Sequence, residues 1–81
     1  MRPGLLVRPR YTVRVGAWTS LVDGSRVQNA RTLIAPDETC AVVAWHPTRT
    51  LVRSEGAHAW VDTVDLSQVP DPTARRNRAN A

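Results

Sequence analysis

The 81-residue chain contains no lysine and no phenylalanine, and it has one cysteine, one methionine and one tyrosine. A lone cysteine, Cys40, excludes an internal disulfide. With only His46 and His58 beside it, no Cys/His set has zinc-finger spacing. Small domains usually need such a staple, and a chain of this length buries only about 60 to 65% of its unfolded surface. The shortage points to support from a partner chain. Long apolar runs are also missing: the longest, Cys40 to Trp45, is far short of the roughly 20 residues of a membrane-spanning helix. The opening MRPGLLVRPR has three consecutive apolar residues, which is not the core of a signal peptide. The expectation is a soluble protein, cytoplasmic or held within an assembly such as a virion, with no membrane contact and no secretion by a signal peptide. The four glycines are scattered, so no phosphate-cradling loop is present.

What is present is arginine. All eleven basic residues are Arg, against seven acids, for a net charge of +4. A GC-rich genome accounts for this through codon usage. That is the favoured account; guanidinium forks that suit phosphate and interface carboxylates are the functional alternative, and composition alone does not separate the two. The hydrophobic fraction of 42% is that of an ordinary globular chain.

Residues 1–10, with Pro3, Gly4 and Pro9, read as an extended N-terminal arm. Tyr11 to Val15 alternates, which sends Tyr11, Val13 and Val15 to a core and Thr12 and Arg14 to water. Trp18 follows in a loop or bulge. Asp23-Gly24 is a turn signal. Arg26 to Ile34 is the next strand, its alternation broken near Asn29-Ala30 as by a bulge. A short helix over Val27 to Leu33 is the competing reading. The stretch Thr39 to Leu66 then reads as a strand, a turn through Pro47, a second strand and a Glu55-Gly56 turn. A third strand ends in Trp60-Val61, followed by a tight polar turn closed by Leu66. Residues 11–69 thus form one all-β domain of about five short strands. Residues 70–81, with two prolines and three arginines, form a flexible tail.

The segment Val42 to Leu66 resembles the small SH3-like barrels, including their Tudor and KOW-type branches. The residues that carry the resemblance are VVAW (Val42 to Trp45), LVR (Leu51 to Arg53), the Glu55-Gly56 turn and AWVDTVDL (Ala59 to Leu66). It implies an antiparallel barrel in which Asp62 to Asp65 is a 3₁₀ turn and Leu66 to Val69 the last strand. The paired aromatics that line the peptide groove of SH3 domains are missing, and Asp23-Gly24-Ser25-Arg26 only loosely echoes the KOW glycine. The resemblance therefore implies a fold class without a particular ligand.

Catalysis needs a nucleophile, a base and an orienting group. The spacing of Cys40, His58 and Asp62 supports no such set, and that of His46, His58, Asp62 and Asp65 no metal site. No catalytic residue, metal, cofactor or small-molecule substrate is expected. Cys40 alternates with Val42 and reads as a small apolar residue. His46 reads as exposed and His58 as facing away from Trp60. Asp62 and Asp65 read as cap and closure of the 3₁₀ turn. Trp60 reads as core, Trp45 as partly exposed, and Trp18 as an interface anchor.

The candidate contact residues are Arg8, Arg10, Tyr11, Arg14, Trp18, Arg75, Arg76 and Arg78. Same-side positions on a strand are about 6.6 to 6.8 Å apart, which puts Arg8, Arg10 and Arg14 at a spacing suited to successive phosphates. Tyr11 and Trp18 are placed to stack on bases. Docking on an acidic protein surface, or a merely solvated face, fits the same residues. The leading expectation is a non-enzymatic structural or adaptor subunit of a larger assembly or homo-oligomer. By analogy this includes the head-completion, connector or decoration parts of phage particles. The alternative is a nucleic-acid-binding barrel that uses the arm and the tail.

Overall fold

The computed structural model describes residues 4–69. They form nine short β-strands: β1 (Leu6–Pro9), β2 (Val13–Arg14), β3 (Trp18–Ser20), β4 (Arg26–Gln28), β5 (Leu33–Ile34), β6 (Cys40–Ala44), β7 (Arg49–Ser54), β8 (Ala57–Asp62) and β9 (Leu66–Gln68). A 3₁₀ turn over Thr63–Asp65 joins the last two. The all-β expectation holds, and the helix over Val27 to Leu33 does not form. None of the described helices is long and apolar enough to cross a membrane.

The strands are divided among one five-stranded sheet, in the order β8-β7-β6-β1-β9, and two two-stranded pairs, β2-β5 and β3-β4. Every pairing is antiparallel. The hydrogen-bonded strands do not join into one closed barrel, and they are nearly twice as many as expected. The extra ones lie in residues 13–34. There β2 and β3 run out, turn at Asp23-Gly24, and return as β4 and β5 in one long hairpin. Between Arg14↔Leu33 and Trp18↔Gln28, residues 15–17 face residues 29–32, one more on the returning limb. The broken alternation at Asn29-Ala30 marks this bulge, and it splits the single strand expected over Arg26 to Ile34.

The N-terminal arm is corrected in part. Residues 6–9 are β1, held between β6 and β9. Leu5 is half-buried, Val7 wholly buried and Pro9 buried, while Leu6, Arg8 and Arg10 face out. That is ordinary strand alternation. The ladder to β9 is carried at even positions, as Arg10 N–H donating to Asp65 O and Val69 N–H to Leu6 O show. The nitrogen of Pro9 therefore points to the other side, where pairing with β6 has already ended at Val7↔Cys40. A proline there removes no ladder bond.

The stretch from Thr39 onward folds in the order read from sequence. Ser54↔Ala57 closes the β7–β8 hairpin over Glu55-Gly56, where Gly56 has φ +77°, a conformation that costs a side chain about 1 to 2 kcal/mol. Val43 bulges out of β6, between the pairs Val42↔Val52 and Ala44↔Leu51. The core gathers Val7, Val13, Ile34, Cys40, Val42, Val52, Ala57, Ala59, Val61 and Leu66. Cys40 is buried, and its thiol is pushed up from its ordinary pKa mainly by that burial.

Candidate functional site

Alternation along β8 sends Ala57, Ala59 and Val61 into the core and His58, Trp60 and Asp62 to the opposite face. His58 and Trp60 therefore share a face, contrary to expectation, because residues two apart on a strand always do. Trp60 is not core but half-buried. It stands opposite Leu51, which is wholly buried yet outside the main core cluster. Leu21 and Val22, at the tip of the long hairpin, lie beside Leu51 and Ala44. With Val43 they line an open apolar hollow.

Polar bonds fix the hairpin against β8. Thr19 Oγ1 donates to His58 O at 2.7 Å, and His58 N–H donates to Asn29 Oδ1 at 2.8 Å. The outward backbone groups of His58 thus meet two side chains in place of a further strand, which blunts this stretch of sheet edge. The amide of Asn29 also donates to Gly16 O and to Thr19 Oγ1, each at 2.8 Å. Trp60 Nε1 donates to Ser20 O at 2.8 Å. Ala30 N–H donates to Gly56 O, also at 2.8 Å.

A second clamp holds the base of the hairpin. Arg31 pairs with Glu38, Ser54 Oγ donates to Glu38 Oε2, and Ala35 N–H donates to Glu38 Oε1 at 3.3 Å. Arg31 also donates to Glu55 O at 3.2 Å. The Arg31 guanidinium, then the Ser54 hydroxyl, hold the Glu38 carboxyl down to about 2. Ser54 and Glu38 were invisible as partners in the sequence, since sixteen residues separate them.

Between the hairpin and β8 lies a groove of about 410 Å³, lined by Arg14, Trp18, Arg49, His58 and Trp60 among others. Trp18 is on strand β3 and not in a loop, and it is 54% exposed. The Arg26 guanidinium lies over its ring, 5.7 Å from the centroid, and that of Arg49 lies over Trp60 at 5.5 Å. Burial, then the nearby Arg53, pushes the His58 imidazole below its ordinary pKa and favours the neutral ring.

The candidate residues read from sequence divide here. Arg14 and Trp18 line the groove. Arg8 is on β1 and Arg10 just beyond it, while Arg14 is on β2 in a different sheet. The expected strip of three arginines is thus broken where the chain bends between Pro9 and Val13. Tyr11 sits in that bend and is exposed at 48%, where a core position was expected. Its hydroxyl donates to Asp65 Oδ2 at 2.8 Å, and this bond first, then burial and the carboxylate's charge, raises its pKa. Arg75, Arg76 and Arg78 lie outside the described residues. Arg26, Arg49 and Trp60 were not among the candidates: alternation gives their faces, but only the folded hairpin brings Arg49 and Trp60 to Trp18, and Arg26 stands over Trp18 outside the groove's lining. Asp62 occupies the N-cap of the 3₁₀ turn, yet its side chain makes no capping bond. Among the described residues no group of three His, Cys, Asp or Glu side chains is placed to hold a metal ion. The chain matches no protein-family model, no curated protein and no solved structure.

Proposed function

We propose that the chain is a non-enzymatic docking module, an SH3-like barrel subunit that seats in a larger protein assembly through its long hairpin. The observation that carries this reading is Trp18: a large aromatic side chain, 54% exposed, on a hairpin fastened to β8 by Thr19, Asn29 and Trp60. A tryptophan held out on a rigid support loses little freedom on binding, and Trp is enriched among interface hot spots. Further apolar side chains are exposed near it in sequence or across the fold, including Val22 at 67% and Val64 at 76%.

The SH3-like assignment is supported by the strand order. The first strand lies between the last strand and the strand that follows the long hairpin, and a single 3₁₀ turn joins the last two strands. In that frame the hairpin of residues 13–34 occupies the long excursion between the first two barrel strands. Phage particles, where small barrels serve as head-completion, connector or decoration parts, are among the assemblies that fit. A nucleic-acid-binding module is the second reading, favoured by the pairing of arginine with tryptophan in the groove.

The test replaces Trp18 with a photoreactive phenylalanine analogue in the native source of the protein. Discrete protein adducts on irradiation are expected. Adducts only to nucleic acid would favour the second reading, and the absence of any adduct would contradict both.

A further inference from the structure

The groove between β3 and β8 is basic. Its lining holds Arg14 and Arg49 and no carboxylate. The one ion pair among the described residues is Arg31 with Glu38, at the far end of the hairpin base. The Arg26 and Arg49 guanidinium groups stand over the Trp18 and Trp60 rings, 5.7 and 5.5 Å from the centroids. A cation held over a ring in this way keeps N–H groups for a carboxylate or a phosphate. The site is therefore furnished for an anion that also carries apolar carbon.

Charge and dimension decide between a polynucleotide and a protein segment. The chain's net charge is +4, eleven arginines against seven acids, a modest field for a polyanion binder. A single-stranded nucleic acid is tracked by a continuous basic path, and the fold has moved Arg8 and Arg10 off that path onto and beside β1. From β8 the groove takes His58, Ala59 and Trp60, and past it Asp62 ends the strand opposite Arg49. The two steps from His58 to Trp60 span about 7 Å at about 3.3 Å each. A polyanion that tracked on along β8 would run onto the Asp62 carboxylate, whereas a segment of about three extended residues would not.

We infer that the groove receives a short, extended, acidic segment of a partner protein. Its carboxylates meet Arg14, Arg26 and Arg49, and its apolar atoms lie against Trp18 and Trp60. This rests on the docking reading above and names the chemistry of the partner at that site.

The test pans a displayed library of random decapeptides on the immobilised full chain and measures the selected peptides by tryptophan fluorescence. The selected sequences should be enriched in Asp and Glu. Their binding should fall at least tenfold in Trp18→Ala and in the Arg14→Gln/Arg49→Gln pair. Arg26→Gln, on the exposed hairpin, should weaken binding in the same direction, and circular dichroism checks that each variant is folded. Selection without acidic bias, binding indifferent to these substitutions, or no selected peptide would overturn the inference. Tighter binding of a ten-residue oligothymidylate, lost in the same variants, would overturn it in favour of nucleic acid. A photo-adduct from Trp18 to a protein together with non-acidic selected peptides would sink this inference alone and leave the docking reading standing.

Discussion

Glu38 ties residues that lie far apart in the chain, and it does so with charge. Arg31, Ser54 and the Ala35 amide all donate to its carboxylate. Folding holds its pKa at about 2, below the ordinary value of 4.5. Because the folded-state pKa is depressed, the unfolded chain binds the proton more readily. The stability this group contributes is complete above pH 4.5 and is lost as pH falls toward about 2. Glu38→Gln should lower stability by about 1 to 2 kcal/mol at neutral pH, the range for hydrogen bonds to a charged, partly exposed group. The same variant should flatten the acid limb of a denaturation series between pH 4.5 and 2. An acid limb unchanged from that of the unsubstituted chain would show that the clamp contributes nothing. His58 acts in the same direction at higher pH: its pKa is lowered, so protonation below 6.5 opposes the fold.

At the scale of elements, the long hairpin is held by a few side chains that replace backbone pairing. Asn29 is the most connected of these, with bonds to Gly16 O, Thr19 Oγ1 and His58 N–H. Asn29→Ala leaves a partly buried donor and acceptors without partners and should cost about 2 to 3 kcal/mol. The amide of His58 should then exchange with solvent faster than the amides of the β6–β7 pair. Equal exchange in both proteins would mean that the hairpin is fixed by packing alone. The turns and the β6 to β9 run were legible because local chemistry specifies them: a glycine at positive φ after Glu55, and alternation through Ala57 to Val61. β1 was hidden by Pro3, Gly4 and Pro9, although Leu5, Val7 and Pro9 alternate correctly. What the sequence did not display was that pairing with β6 stops before Pro9, so that its missing N–H costs no bond. Tyr11 was misplaced for the opposite reason. Its alternation with Val13 assumes a straight strand, and the chain bends between β1 and β2.

At the scale of the whole molecule, sheet and hairpin divide the work. The five-stranded sheet carries most of the main core, and the hairpin carries Arg14 and Trp18 across to meet Arg49 and Trp60 on β7 and β8. Half of the groove was therefore legible, as Arg14 and Trp18. The other half depends on contacts between residues 40 apart, such as Trp60 with Ser20. Such contacts leave no local pattern. In the proposed function this chain works as part of a larger body through that face. The most direct measurement is the sedimentation of the protein from its native source, compared with Trp18→Ala. The unsubstituted chain should travel in a particle far heavier than its own 9.0 kDa, and Trp18→Ala should release it as a folded monomer. A native chain that sediments as a free 9.0 kDa monomer would contradict the claim.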